Sequence, residues 1–170
     1  MDQVVLETDV RVAPAEVFAF LMDFPGYVKY SEYLEEIRQD GDGGEGTTYE
    51  LALRWWRLSY TARTEVTAVK EPERIEWEVK RVVRAHGAWE IDPVDPPEVD
   101  WEGSRVRLRI QYAPDTADAS VIGLPPLVSV GWLVDRIQPI VLEEAERIVR
   151  RVVADLEGEP RPVELRIQTP

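Results

Sequence analysis

The stretch VRVAPAEVFAFLMDFPGYVKYSEYL, residues 10–34, decides the fold because three kinds of local structure follow one another in it. It begins at the end of an alternating run, Val4 to Val12, which predicts a half-buried strand. A proline and an acid then suit the first turn of a helix, since proline lacks an N–H and an acid favours the dipole. That helix carries an apolar stripe and ends at Phe24-Pro25-Gly26. A second short helix is predicted over Tyr27 to Leu34.

Six further segments downstream alternate between apolar and polar residues and predict strands. Short turns join most of them, which favours an antiparallel meander with one solvent-exposed face. A loop rich in prolines and acids, Asp92 to Gly103, precedes the last strand. The predicted strands are Tyr33–Asp40, Thr47–Trp56, Leu58–Val69, a strand around Ile75–Val79, Arg84–Ile91 and Arg105–Ala113.

The C-terminal third of the chain predicts one long helix. Apolar residues recur at three- and four-residue spacing from about Val128 to Leu156, which is typical of an amphipathic helix. Pro139 lies inside it and is expected to bend it. We therefore expect one domain, residues 1–158, followed by a tail, residues 159–170, in which alternating apolar residues predict a short edge strand.

This order of elements resembles the START-like superfamily, also called SRPBCC or helix-grip, and within it the polyketide cyclase/dehydrase and coenzyme Q-binding branch. The likeness is strongest in residues 10–34, where Asp23, Phe24 and Tyr27 match the family's run VFxxxxDxxxY. The segments SYTARTEV and GAWEI also resemble its sheet segments. The resemblance implies an α+β fold, in which a curved antiparallel sheet of about six to seven strands wraps around a long C-terminal helix and encloses a cavity.

Charge and composition exclude several classes of protein. The chain has 20 basic and 33 acidic residues, a net charge of −13, so we expect no nucleic-acid partner. The absence of cysteine excludes a disulfide framework, and a single histidine excludes multi-histidine metal sites. We expect neither a metal nor a cofactor. No apolar run is long enough to span a membrane and no secretory signal is evident, so we expect a cytoplasmic protein.

The basic residues are almost all arginine, because only three of the 20 are lysine. Acid-rich and lysine-poor surfaces resemble those of halophilic archaea, where high salt screens the repulsion between like charges. An acidic cytosolic protein from a genome of high GC content has a similar composition. Both interpretations are consistent with the sequence.

Aromatic residues cluster on the predicted inner face of the sheet. Any one ring can simply fill the core, but together they suit a largely apolar ligand with a few polar atoms. If Pro139 bends the helix, its part from Val141 to Leu156 packs flat and its earlier part lifts to leave space over these rings. The candidate ligand-binding residues are Tyr49, Tyr60, Thr64, Trp77, Trp89, Tyr112, Trp132 and Ile137.

The leading hypothesis for function is binding or carrying of a hydrophobic small molecule in an internal cavity. The resemblance implies lipid, isoprenoid, quinone or polyketide-like ligands. It also implies two alternatives, an enzyme of the polyketide cyclase/dehydratase type and a protein-interaction module with a filled core. The predicted inner face has hydroxyl groups but no carboxylate, histidine or lysine, which argues against proton-transfer chemistry.

Two exposed apolar segments carry further hypotheses. Trp55 and Trp56 break the strand alternation beside two arginines, so one of them is expected at a hairpin tip. There it makes a transient membrane contact or packs in a tight turn. The connection Val121 to Trp132 is unusually apolar and is a lid, a buried lead-in to the helix or a partner contact.

The excess negative charge predicts a response to salt. Salt shortens the range of charge repulsion to about 3 Å at ~1 M, so we expect the melting temperature to rise steadily from low to molar salt. Thermal unfolding followed by circular dichroism across that range measures it. A flat or falling melting temperature would remove the halophilic interpretation.

Overall fold

The computed structural model describes residues 1–55, 58–81, 83–116 and 127–170. The strands are β1 (Asp2–Val10), β2 (Leu34–Asp40), β3 (Thr48–Trp55), β4 (Leu58–Lys70), β5 (Arg74–Val79), β6 (Arg84–Val94), β7 (Gly103–Ala113) and β8 (Arg166–Gln168). All eight form one antiparallel sheet in the order β2-β3-β4-β5-β6-β7-β1-β8. The α+β helix-grip fold is confirmed, with eight strands rather than six to seven, because the tail adds β8 beside β1.

Two of the described helices flank the sheet: α1 (Pro14–Met22) follows β1, and the long helix α2 (Val130–Glu157) precedes the tail. Ser129 caps α2, since its hydroxyl oxygen accepts a hydrogen bond from the N–H of Trp132 at 3.1 Å. Gly158 ends α2 with a φ of 85°, a left-handed conformation that favours glycine.

The second short helix lies earlier in the chain than the sequence predicted. It is a 3₁₀ helix over Phe24–Lys29, whereas we expected a helix over Tyr27 to Leu34. Pro25 suits its first turn. The buried Phe24 ring and a hydrogen bond from the Tyr27 hydroxyl to the carbonyl of Leu21 hold this turn directly against the end of α1. Leu34 is then free to begin β2.

The ladder between β1 and β7 defines the two faces of the sheet. Every residue of β1 is paired, from Asp2 opposite Tyr112 to Val10 opposite Ser104. Opposite residues in an antiparallel ladder project to the same face. Leu6 and Leu108 therefore share the inner face, which α2 covers, while Glu7 and Arg107 share the outer face.

The same reasoning follows the other ladders across the sheet and places the aromatic side chains together. Trp89 lies opposite Leu108 on β7 and opposite Ile75 on β5. A bulge in β4 between Val66 and Ala68 shifts the register there. The residues that share the inner face by pairing include Tyr49, Tyr60, Thr64, Trp77, Trp89 and Tyr112.

The hydrophobic core lies between the sheet, α1 and the second half of α2. Val17 and Phe18 of α1 pack with Val66, Ile75 and Ile91 of the sheet. The same cluster contains Val153 of α2, which is 1% exposed. The first half of α2 makes a separate cluster, in which Leu133 and Ile137 pack against Leu58 and Trp55.

The outer face carries a ladder of ion pairs across five strands, which fits the opposite charges of facing strands. Glu7 of β1 lies between two arginines, with Arg107 Nη2 at 2.6 Å and Arg166 Nε at 2.8 Å. Asp9 pairs with Arg105 and Arg166 at 2.9 and 3.2 Å. The third acid, Glu90 of β6, pairs with Arg74, Arg107 and Arg109 at 3.1–3.2 Å.

These pairs shift the pKa values of the three acids. Burial alone would raise the pKa of each carboxyl, but the arginine hydrogen bonds and charges outweigh it. The pKa of each carboxyl is therefore lower in the folded protein than its ordinary value.

We expect this charge ladder to make folding sensitive to acid. The unfolded chain takes up protons first as pH falls through about 4, so the stabilisation present at neutral pH is lost toward the lower folded pKa. Glu7→Gln is expected to flatten the dependence of the unfolding free energy on acid pH, measured by urea denaturation. Glu36→Gln is the control, because its pair with Arg38 is largely exposed. Equal slopes for Glu7→Gln and the parent protein would contradict this account.

Gly87 permits close packing beneath Trp77. A Cβ at Gly87 would lie 2.5 Å from the carbonyl oxygen of Arg109 and 2.5 Å from Cζ2 of Trp77. We expect Gly87→Ala to lower the unfolding free energy by about 1–3 kcal/mol, because the strand or the indole must shift. Gly44→Ala is the control, since its nearest neighbour is the Asp42 carboxylate at 3.3 Å. A cost at Gly87 no larger than at Gly44 would show that the backbone relaxes freely.

Candidate ligand cavity

A cavity of about 300 Å³ lies between the inner face of the sheet and the second half of α2. The sheet contributes residues of β1, β2, β6 and β7, and the opposite walls come from α1, the 3₁₀ helix and α2. Val149, Val152 and Leu156 follow the three- and four-residue spacing of α2, so they project into it from one side of the helix. The lining is mostly aliphatic, which suits an apolar ligand.

Tyr27 and Trp89 place polar atoms in this apolar wall. The Tyr27 hydroxyl donates a hydrogen bond to the carbonyl oxygen of Leu21. Burial raises the pKa of Tyr27 well above its ordinary value, and a hydrogen bond with the Trp89 side chain opposes that rise. Indole has only an N–H donor, so Trp89 donates and Tyr27 accepts. The Tyr27 hydroxyl is thus held neutral and oriented.

Tyr30 ties the rim of the cavity to α2. Its hydroxyl donates to Asp155 Oδ2 at 2.6 Å, and the Arg151 guanidinium lies 5.5 Å from its ring centroid. Burial and the hydrogen bond to Asp155 raise the pKa of Tyr30 to about 12. Arg151 also donates to the carbonyl of Lys29 at 2.8 Å. These contacts hold the segment after α1 against the second half of α2.

The remaining polar side chains of the lining also have partners. The Thr8 hydroxyl donates to the backbone carbonyl of Glu164 at 2.8 Å. Glu7 also contributes to the lining, but its carboxylate lies on the outer face, where it pairs with Arg107 and Arg166. Ser31 Oγ accepts from the N–H of Tyr33 at 3.3 Å.

Of the eight candidate residues from the sequence, only Trp89 lines this cavity. Tyr49 is buried in the core with its ring centroid 4.6 Å from that of Phe24. Four more share the inner face but lie outside the cavity wall: Tyr60, Thr64, Trp77 and Tyr112. The last two belong to the first half of α2, where Trp132 is 47% exposed and Ile137 packs beside Leu133. Ligand contact at those seven residues stays a prediction.

The structure places open space beside the half of α2 that we expected to pack flat. Aliphatic side chains such as Val149, Val152 and Leu156 line the space there, together with the rings of Phe20 and Trp89. At the other half of α2, Leu133 and Ile137 instead pack in a cluster with Leu58 and Trp55. The sequence signal for the cavity is the stripe from Ile148 to Leu156, which periodicity alone assigns equally well to solid packing.

The two apolar segments singled out in the sequence are only partly described. Trp55 is half-buried, whereas Trp56 lies outside the described residues, so membrane contact stays a prediction. The connection Val121 to Trp132 lies outside them as far as residue 126. None of the described helices is long and apolar enough to cross a membrane. Within the described ranges, no cluster of three or more acidic or histidine side chains is arranged to hold a metal ion.

Solved structures share the fold at low sequence identity. The aromatase/cyclase Zhui from Streptomyces sp. R1128 aligns with a TM-score of 0.67 and 16% identity, over 91% of this chain and 93% of that chain. A START superfamily protein from Mycobacterium smegmatis aligns with a TM-score of 0.64 and 14% identity, over 92% and 99%. For Ara h 8.0201 the TM-score is 0.62 and the identity 15%, over 92% and 98%. No curated protein sequence matches the chain.

The sequence also matches one family model over residues 1–157, that of polyketide cyclase / dehydrase and lipid transport proteins. The match covers β1 through the end of α2 and stops before the tail. The SRPBCC resemblance is therefore confirmed, and its members typically bind hydrophobic ligands or cyclise polyketides. The chain belongs to the polyketide cyclase / dehydrase and lipid transport family.

Proposed function

We propose that this protein binds and carries a neutral, largely apolar small molecule in the cavity beside the second half of α2. The observation that carries the proposal is a space of about 300 Å³ whose wall is mostly aliphatic. That volume is at the lower end of the roughly 300–1,000 Å³ of small-molecule sites. A compact isoprenoid, an acyl chain or one ring system of a polyketide is the matching class.

The charge of the lining supports a neutral ligand. No lysine, arginine or histidine is among the described residues that line the cavity. An anionic group placed there would lose its hydration without gaining a cation, which is costly. The Tyr27 O–H and the Trp89 N–H are already donated to Leu21 and to Tyr27, so these two groups offer no donor to an anion and suit a ligand of low polarity.

A cyclase or dehydratase is the second candidate, favoured by the family and by the fold shared with an aromatase/cyclase. Such chemistry needs an acid or base within reach of the substrate. In the described wall, Tyr27 and Tyr30 are the residues nearest to that role. Both hydroxyls already donate hydrogen bonds, and the pKa of each is raised. This arrangement favours a carrier over an enzyme.

The binding site is tested by filling the cavity. Val152→Trp places an indole in the space from a half-buried position of α2. We expect the affinity for N-phenyl-1-naphthylamine, a neutral apolar fluorophore, to fall at least about tenfold, or roughly 1.4 kcal/mol. Fluorescence titration measures the affinity, and circular dichroism checks that the variant stays folded.

Ala62→Trp is the matched control because it adds the same indole on the inner face near Tyr60, where the sequence-based prediction places the ligand. We expect this variant to bind the probe like the parent protein. Loss of binding in Ala62→Trp but not in Val152→Trp would show that the ligand binds beside the aromatic residues of the inner face, such as Tyr60, instead. Failure of the parent protein to bind would overturn the carrier hypothesis.

A further inference from the structure

We propose that residues 159–168, here called the C-terminal strap, form a movable wall of the cavity, and that the ligand enters and leaves between Val149 and Leu165. This inference rests on the proposed function, because it names the route to the same site. The strap follows the 1–157 region that matches the family model. Its role is therefore a property of this chain's own C-terminal residues.

Leu165 of the strap lines the main cavity. Leu165 and Val149 also line a second, smaller cavity of about 90 Å³, whose other walls are Val163 and the charged residues Glu146 and Arg150. Two side chains thus belong to both spaces. Displacement of Leu165 away from Val149 would join the apolar cavity to the smaller, charged cavity and so widen the path to solvent.

The strap is held to the sheet by fewer backbone pairs than the strands of the cavity wall beside it. Walls that belong to long strands or helices are held by many backbone hydrogen bonds. Local opening occurs more easily in segments that have few such bonds. Strand β8 has three residues and pairs with β1 alone. By contrast, β6, β7 and β1 are each paired on both sides, and α1 buries Val17, Phe18 and Leu21 in the core.

The two ends of the strap are held differently. At its N-terminal end, Arg161 donates to the Glu157 carboxylate through two nitrogens at 2.6 and 2.9 Å. Arg161 also donates to the carbonyl of Asp9 at 3.0 Å. Both side chains of that pair are largely buried. Toward the far end, Arg166 pairs with Glu7 and Asp9 while its side chain remains 35% exposed. The N-terminal end of the strap is therefore the fixed part, and the end near Arg166 is the part that we expect to separate from β1.

A disulfide lock tests the strap, because the natural chain has no cysteine. Val5 and Gln168 lie opposite each other on β1 and β8, at a spacing that a cross-strand disulfide spans. Neither side chain lines the cavity. In the full-length variant Val5→Cys/Gln168→Cys, we expect oxidation to slow dissociation of N-phenyl-1-naphthylamine at least about tenfold in stopped-flow fluorescence, and reduction to restore the rate of the parent protein.

The matched control is Gln3→Cys/Gln111→Cys, which joins β1 to β7 where the two amides already lie 3.1 Å apart. Oxidation of this pair is expected to leave the dissociation rate unchanged. Equal rates for the oxidised and reduced strap lock would overturn the proposal. An equal slowing by both locks would also overturn it, because general stiffening of the sheet would then explain the effect.

A substitution on the outer face tests the strap without an engineered bond. Arg166→Gln removes the ion pairs at the far end, so we expect probe dissociation several-fold faster than in the parent protein. Arg109→Gln is matched in exposure and removes a pair with Glu90 that does not involve the strap. Identical rates in the two variants would count against the strap.

Amide hydrogen exchange separates failure of this proposal from failure of the proposed function, since it needs no ligand. We expect the amides of Arg166–Gln168 to exchange by a local opening that leaves the β1–β7 ladder protected. If they exchange only together with that ladder, the strap does not open, whether or not the protein binds the probe. If they open locally but the parent protein binds no probe, the carrier function fails while the movement of the strap stands.

Discussion

The pairing of β1 with β7 is the constraint on which the rest of the structure depends. It joins the first strand of the chain to the last described strand before α2, and it pairs all nine residues of β1. A shift by one residue would exchange the two faces of β1. The side chains of Leu6 and Thr8 would then leave the inner face, and the carboxylates of Glu7 and Asp9 would enter it without their arginines. The register thus fixes an apolar cavity on one face and a charge ladder on the other.

Those two faces stabilise the same register by different means. On the inner face, apolar burial favours it, and on the outer face three acids find arginines on neighbouring strands. An isolated exposed ion pair contributes little, but here one carboxylate serves several guanidinium groups at reduced exposure. Within the ladder, arginines neutralise the acids locally. The net charge of −13 therefore comes also from acidic residues outside this face. Added salt therefore screens the repulsion between acids elsewhere on the chain, and it also screens the attraction within the ladder.

Alternation and helical spacing predicted the order of the elements and the residues that share the inner face. Trp77, Trp89 and Tyr112 lie on that face because a strand has a strict two-residue period. The same patterns did not locate the cavity, since periodicity gives the side of α2 that faces the sheet but not its distance from the sheet. That distance depends on how side chains pack along α2: its first half packs in a cluster with Trp55, whereas its second half borders a cavity lined mostly by aliphatic residues.

The tail shows why a carrier is a coherent reading of this molecule. A ligand bound among aliphatic side chains has to enter and leave without disrupting the core, and movement of a long strand of the cavity wall would break many backbone hydrogen bonds. Strand β1 has one edge committed to β7 and the other covered only by three residues of β8. Thr8 lines the cavity, yet its hydroxyl is bound to the strap at Glu164. Strand β1 therefore contacts both the cavity and the strap, and in the proposed mechanism it connects the stability of the fold to access to the site.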